Sequence, residues 1–408
     1  MNHLSTQDGS RGILFLTSTN LACNPRCLKE VRLAAATKMD VTVVAFRLGN
    51  WSDEQEREIV KGLANVRFHH LDITRKQFVP WVQATIFIKA ARLIHSVFSH
   101  NVFWASIAIN KQSWALWNWV KDYKGSPGLI IAHNPAAFYA AEKLASNNGV
   151  PFALDIEDYH PGEIDNTAIE SPLTVVMRNL MSRSAYNSFA APRIRSYCRQ
   201  ALGVNRDTDI VVNNVFPSDE FSYCDDDGKG KMKLVWFSQN IDRGRGLEQL
   251  IPCLEELAAD IELTLIGDPK EPFCHDFVEG RDFIKIIRPV GQQELHRIIG
   301  NADIGLALET GKDVNRMLTL TNKIWAYFQA GLFILASDTP AQSEFVTRYP
   351  GHGILTALDK KQITEAIATL IRRLPELRSQ KRTRFGQAKP ASWEHESKQL
   401  SSRWNDIL

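Results

Sequence analysis

The segment Leu318–Asp338, LTLTNKIWAYFQAGLFILASD, sets a lysine at the start of a short helix that ends on a glycine and leads into an apolar strand. Thr321 or Asn322 can cap this helix, with Lys323 in its first turn. Ile324, Tyr327 and Phe328 share one face, and Gly331 fits the position just past the end. A helix N-terminus with unsatisfied N–H groups and a cationic side chain is a natural phosphate seat. The stretch IDRGRGLEQL repeats the idea: Arg243 and Arg245 follow a strand and open a helix. Guanidinium forks suit phosphate oxygens, and Gly244 and Gly246 let backbone approach a ligand. The plainer alternatives are a solvated basic loop for the arginines and dipole compensation for Lys323. His133 ends the run LIIAH, and Glu157, Asp158 and His160 follow the run FALD. A histidine or carboxylate at such a strand end can hydrogen-bond a substrate or receive a proton. The alternative is that these groups tie loop to sheet. A metal held by Asp155, Glu157, Asp158 and His160 is the weakest reading, and no metal is assigned.

These residues need elements to position them. Ile13–Thr17 reads as a buried strand, Arg26 to about Lys38 as a helix and Val41–Phe46 as the next strand. Strand, helix and strand in close succession make a βαβ unit and a parallel sheet with right-handed crossover. Val66–His69, Leu129–Ala132, Phe152–Asp155, Ser188–Ala191 and Ile210–Val212 continue the strands, with helices at Ala136–Ser146 and Thr174–Asn187. Acidic CDDDGKGK at Cys224–Lys231 reads as a flexible joint, after which the pattern restarts. Strands are expected at Leu234–Ser238, Leu263–Ile266, Ile284–Ile287, Ile304–Ala307 and Leu332–Ala336, and helices at Glu294–Gly300 and Ile363–Leu374. The fold class is therefore α/β, two Rossmann-like halves. The expected domains are 1–205, 206–390 and a C-terminal helix, 391–408, whose Trp393, Leu400 and Trp404 return to the first domain. Such sheets bind ligands at the carboxyl ends of their strands, so two that face each other would share an active-site cleft.

A chain of 408 residues suits two domains. A net charge of +2 gives no global case for nucleic acid. The six cysteines form no Cys-x-x-Cys unit and no zinc pattern, which fits reduced thiols in the cytosol. MNHLSTQDGSRG has no apolar core and does not read as a signal peptide, and no apolar run is long enough to span a membrane.

The order of motifs resembles the GT-B glycosyltransferases, in particular the bacterial group-one, retaining type. TSTNLACNPRCLKE is similar to the Asn-Pro-Arg…Lys-Glu opening of many bacterial members, and LIIAHNPAAFYAA to the strand whose histidine approaches the sugar. DIVVNNVFPSDEF is similar to the turn into the second domain, and LVWFSQNIDRGRGLEQLI to the strand, basic loop and helix at the donor pyrophosphate. ADIGLAL with LTLTNKIWAYFQAGLFILASD is similar to the nucleotide site. The resemblance covers nearly the whole chain. It implies a retaining hexosyltransferase that moves a sugar from a nucleotide-diphosphate donor to a glycan or lipid-linked acceptor, in bacterial surface polysaccharide synthesis and without a cofactor. It implies a role at the sugar for His133 and donor binding by Arg243, Arg245, Gly246, Asn322 and Lys323; Glu157 and Asp158, after the next strand, complete the catalytic candidates as groups that could receive the acceptor proton.

The chain departs from the family at one point. The family's two glutamates around the donor helix, the second of which holds the ribose, are Leu318 and Ala326 here. The stretch between Glu309 and Thr321 is also longer than usual, so Glu309 and Arg316 become candidates for the missing contacts. A nucleotide-sugar epimerase on the same fold, or a degenerate GT-B subunit that binds a partner or glycan, are the competing readings. Residues 78–120 add a separate feature: Trp81, Trp104, Trp114, Trp117 and Trp119 cluster with Phe87, Phe98 and Phe103, punctuated by Lys89 and Arg92. Helix packing over the sheet, an aromatic acceptor groove and a peripheral membrane face would all look like this. The expected location is cytoplasmic, with a peripheral position at the inner face of the membrane as its variant.

Overall fold

The computed structural model describes residues 12–37, 39–163, 170–224 and 229–408. The N-terminal stretch 1–11 and the centre of the acidic joint, 225–228, lie outside them. By internal contacts the chain divides into two compact units: one runs to Val212 and includes Ser397–Leu408, the other is Asn213–Glu396.

The first unit is a parallel sheet with alternating helices. Its elements are β1 (Gly12–Thr17), α1 (Pro25–Ala36), β2 (Asp40–Arg47), α2 (Ser52–Gly62), β3 (Val66–Asp72), α3 (Phe78–Val97), α4 (Val102–Ile109), α5 (Lys111–Asp122), β4 (Leu129–His133), α6 (Pro135–Asn148), β5 (Phe152–Ile156), α7 (Pro172–Met181), β6 (Asn187–Phe189), α8 (Pro192–Leu202) and β7 (Ile210–Val211). The strand order is β3-β2-β1-β4-β5-β6-β7, every pair parallel. β1, β4 and β5 are buried on both faces, which is why they read as unbroken apolar runs and not as alternating patterns. The order reverses at β1, so the carboxyl ends of β1 and β4 mark the point where such sheets place ligands. α2 and α8, both rich in charged and polar residues, are not apparent in the sequence pattern. β7 pairs with β6, so this unit continues to Val212.

The second unit repeats the plan with β8 (Met232–Ile241), α9 (Leu247–Leu254), β9 (Ile261–Pro269), α10 (Glu271–Phe277), β10 (Ile284–Ile287), α11 (Gln292–Gly300), β11 (Ile304–Ala307), α12 (Val314–Leu318), α13 (Asn322–Gln329), β12 (Phe333–Ser337), α14 (Pro340–Arg348), β13 (Gly353–Thr356), α15 (Lys360–Ser379) and α16 (Lys381–Ala388). Its order is β10-β9-β8-β11-β12-β13, again all parallel, with the reversal at β8. Its main core lies on one face of the sheet, where Trp236, Leu263, Leu306 and Leu335, at alternate strand positions, pack with Leu250 of α9 and Ile367 of α15. β13 is not apparent in the sequence pattern because its GILT is short and itself begins with a glycine. α13 is not the one-sided helix expected from Ile324, Tyr327 and Phe328: every residue from Lys323 to Gln329 is buried. Gly331 does turn the chain out of it, with φ 75° and Phe385 only 2.8 Å from where a Cβ would stand.

The last helix, α17 (Trp393–Ile407), begins among residues of the second unit, where the Trp393 N–H donates to the Phe216 carbonyl at 3.0 Å. From Ser397 it groups with the first unit. There Leu400 and Trp404 are buried, and Trp404 Nε1 donates to the Tyr186 hydroxyl at 2.9 Å. The Trp404 ring also meets Phe15 edge-on.

Candidate functional site

In the second unit the carboxyl ends of β8 and β9, the turn after β10 and the start of α13 enclose a cavity of about 400 Å³. Its lining combines two chemistries: Arg245, Thr321, Asn322 and Lys323 are polar or cationic, and Ile266, Pro289, Val290 and Leu295 are apolar. Thr321 stands at the N-cap of α13 but its hydroxyl does not cap the helix and has no hydrogen-bond partner. The helix N-terminus therefore opens toward the cavity without a covering side chain, as an anion seat would.

The basic loop after β8 is shaped by Gly246, whose φ of 81° and approach to Leu308, 2.8 Å from a would-be Cβ, exclude any other residue without rearrangement. The Gly244 N–H donates to Glu248 Oε1 at 2.7 Å, and Arg316 Nη1 donates to the Gly244 carbonyl at 2.8 Å. Arg316 comes from α12, in the longer stretch after β11, where Asp313 caps the helix and pairs with the guanidinium at 3.2 Å. Arg316 thus secures the loop and does not line the cavity. Arg243 also stays out of it: its guanidinium is half-exposed, paired with Asp276 and stacked over Phe277. Of the two arginines expected at a ligand, Arg245 lines the cavity and Arg243 does not.

Lys323 is buried, and its Nζ lies 3.3 Å from Glu309 Oε1. Glu309 is fixed in turn by its own N–H donating to Ser337 Oγ at 2.7 Å. Burial lowers the Lys323 pKa, the Glu309 charge opposes that, and Arg245 and Arg316 add to the lowering. The site therefore holds more positive charge than its own carboxylates neutralise, which favours an anionic ligand. Glu309 acts here as the lysine's partner. Leu318 and Ala326, at the family's glutamate positions, are both buried.

The first unit holds a second group of titratable residues at the ends of β4 and β5. His133, expected at a ligand-binding edge, is 1% exposed. It sits 3.4 Å from Glu30 and 3.3 Å from Asp155. Arg26 Nε reaches both Asp155 oxygens at 2.8 and 2.9 Å, Arg26 Nη1 donates to the Val212 carbonyl, and Ser188 Oγ donates to Asp155 at 2.6 Å. Burial pulls the His133 pKa down, but Cys27, Glu30 and Asp155 outweigh it and hold the imidazole well above its ordinary value. Burial would raise Asp155, yet Arg26 and His133 hold it below the usual carboxylate range. Among the described residues, Glu30, His133 and Asp155 are the group whose ligand atoms come close enough for a metal, within 4.8 Å of one another. Arg26 already supplies a cation there. The set Asp155, Glu157, Asp158 and His160 is not brought together in that way.

Glu157 and Asp158 follow β5 and are partly exposed. Burial raises the Glu157 carboxyl to about 7, with Asp158 and Asp155 adding and Arg26 and His133 opposing. Next to His133, Asn134 adopts φ 69°, rare outside glycine, while its Oδ1 accepts from Thr17 Oγ1 at 3.0 Å. Sequence reasoning missed Asn134, although a strained residue at a topological switch point is a site signal. It also missed Glu30 as a partner of His133, Arg26 as the partner of Asp155, and the apolar part of the cavity lining, for which Pro289–Val290 after β10 was the available cue.

No family model matches the chain, and no curated protein matches it in sequence. Solved structures do match in shape. Anabaena Alr3699/HepE, crystallised in complex with UDP, superposes with a TM-score of 0.68 at 13% identity, over 97% of this chain and 100% of that one. Sucrose-phosphate synthase from Thermosynechococcus elongatus gives 0.66 at 12%, over 97% and 99%. The lipopolysaccharide outer core galactosyltransferase WaaB gives 0.59 at 12%, over 97% and 100%. At these identities the likeness establishes the fold: two Rossmann-like α/β units, the fold of GT-B glycosyltransferases.

Proposed function

We propose that this protein is a glycosyltransferase whose second unit binds a nucleoside-diphosphate sugar. The carrying observation is the mixed lining of the cavity, which brings Arg245, Lys323 and the α13 N-terminus together with Ile266, Pro289 and Val290. A diphosphate suits the cationic groups and a flat base the apolar ones. HepE was crystallised with UDP and with UDP-glucose, which favours uridine as the nucleoside.

In sugar transfer the bond between the anomeric carbon and the diphosphate breaks and the acceptor oxygen forms the new bond. The acceptor proton leaves, and negative charge gathers on the diphosphate. Arg245 and Lys323 stabilise that charge more than the ground state requires, which is where a rate gain arises. Glu309 opposes the loss of the lysine's proton to burial and holds the side chain in place. Glu157 is the proton acceptor in this reading, Asp158 its neighbour, and His133 a positioning residue that orders the β4 and β5 ends through Asp155 and Glu30. Retention of configuration, a hexose as the transferred sugar and a surface glycan or lipid-linked acceptor are the finer parts of the proposal, and they rest on the motif resemblance.

Two results are expected. In a panel of nucleoside-diphosphate sugars, one donor should release its nucleoside diphosphate in the presence of the protein. Interconversion of sugar epimers without release would point to an epimerase. Silence on every donor, with glycan binding retained, would point to a degenerate subunit, which Leu318 and Ala326 make the leading rival. The second result concerns pH. Protonated Glu157 cannot accept a proton, so kcat/KM should rise as pH passes through about 7. Glu157→Gln should lower the rate by roughly 10²–10⁴-fold and remove that limb. A wild-type limb that persists in the variant would assign it elsewhere.

A further inference from the structure

We propose that the outward face of α3 is a docking surface for an anionic lipid bilayer. Among the described residues nine large hydrophobic side chains are exposed, and seven belong to α3 and its C-cap residue. Val79, Ile86, Leu93 and Val97 follow one another at helical spacing along a single stripe, each more than 60% exposed, and Phe78 and Phe98 close its two ends. The opposite side of the same helix is the packed one, with Ala84, Ile88, Ala91 and His95 buried. Beneath it Ala91, Ile107 and Ala108 form a small cluster flanked by Phe103 and three tryptophans. The helix is therefore held from below while its apolar stripe is left in water. Isolated exposed apolar residues need no explanation, but a contiguous stripe does.

Charge identifies the occupant. No aspartate or glutamate occurs from Ile73 to Lys121, whereas Arg75, Lys76, Lys89, Arg92, Lys111 and Lys121 do. Arg75 and Lys111 stand over the Trp81 ring, 5.7 and 4.5 Å from its centroid, at the start of the helix. An apolar stripe with cations along its edge, and an indole among them, suits a helix lying in the plane of an anionic headgroup layer. A second copy of the chain fits less well, because a two-fold pairing of this face would bring the cations together. No helix among the described residues is long and apolar enough to cross a membrane, so the contact is peripheral.

The test is co-sedimentation of the full chain, without nucleotide, with vesicles of phosphatidylcholine alone or mixed with phosphatidylglycerol. Its outcome is thus independent of the donor-site reading. The mixed vesicles should retain the protein, less so as salt is raised. Ile86→Glu with Leu93→Glu should weaken retention by about tenfold or more. Both side chains are exposed, so the melting temperature should stay put; Lys76→Glu with Lys89→Glu gives an independent, charge-only variant. Failure of mixed vesicles to retain the wild type would overturn the proposal, as would equal retention by neutral vesicles. So would a dimer seen by light scattering that the Ile86→Glu/Leu93→Glu variant dissolves while no vesicle binds.

Discussion

Arg26→Ala is expected to destabilise the first unit by about 3–5 kcal/mol, since it strands the buried Asp155 carboxylate without its bidentate partner. Arg26→Lys keeps the charge but cannot reproduce the guanidinium's simultaneous hold on Asp155 and the Val212 carbonyl, and should fall between the wild type and Arg26→Ala. Replacing both partners at once, Arg26→Met with Asp155→Leu, should recover much of the loss. Urea unfolding combined with hydrogen exchange on the β1, β4 and β5 amides reads the unit separately from the rest of the chain. If Arg26→Ala costs less than about 1 kcal/mol, within the range of exposed pairs, the network is not the keystone its burial suggests.

The same network sets the pH range of that stability. Asp155 titrates below its ordinary value of 3.8, so its contribution is present above that pH and is lost as pH falls toward the lowered pKa. His133 titrates above its ordinary 6.5, so its contribution is full below that pH and is lost as pH rises through the raised pKa. Glu157, raised from 4.5 to about 7, works in the same direction as His133. The first unit should therefore be most stable on the acid side of neutrality, above the Asp155 range.

Lys323→Ala and Arg245→Ala should each weaken uridine diphosphate binding by about 1.5–3 kcal/mol, roughly 10- to 150-fold, as expected for hydrogen bonds to charged groups. Lys323→Ala also leaves Glu309 buried and unpaired. A Lys323→Met, Glu309→Gln double variant therefore separates lost binding from lost folding. Arg243→Ala should change affinity far less, because that guanidinium is half-exposed and committed to Asp276 and Phe277. Calorimetric titration decides the order of effects. Equal losses at Arg243 and Arg245 would mean that the basic loop rearranges on binding.

Much of this fold is legible in the chain because its central strands are buried on both faces. ILFLT, VTVVAF, LIIA, LVWFS and LFILA cannot be confused with half-exposed strands. Elements without that signature, such as α2 and β13, depend on tertiary context and were not visible. At the donor side the sequence placed Arg245, Asn322 and Lys323 at helix starts, because helix termini are local features. It did not show that Glu309 pairs with Lys323, that Arg316 holds the Gly244 carbonyl, or that Arg243 turns to Asp276, since each links separate loops. His133 is the clearest case. Strand-end reasoning put it at a ligand-binding edge, but Glu30, Arg26 and Asp155 close over it, and Arg26 lies 129 residues from Asp155 in the chain. Position along a strand is local; burial of its last side chain is not.

The most direct test of the donor-site reading is a crystal structure of the protein with uridine diphosphate. The diphosphate should lie within hydrogen-bond reach of Arg245, Lys323 and the first amides of α13. The base should sit against Ile266, Pro289 and Val290. A nucleotide bound elsewhere on the chain, with that cavity empty, would contradict the assignment of the second unit as the donor site.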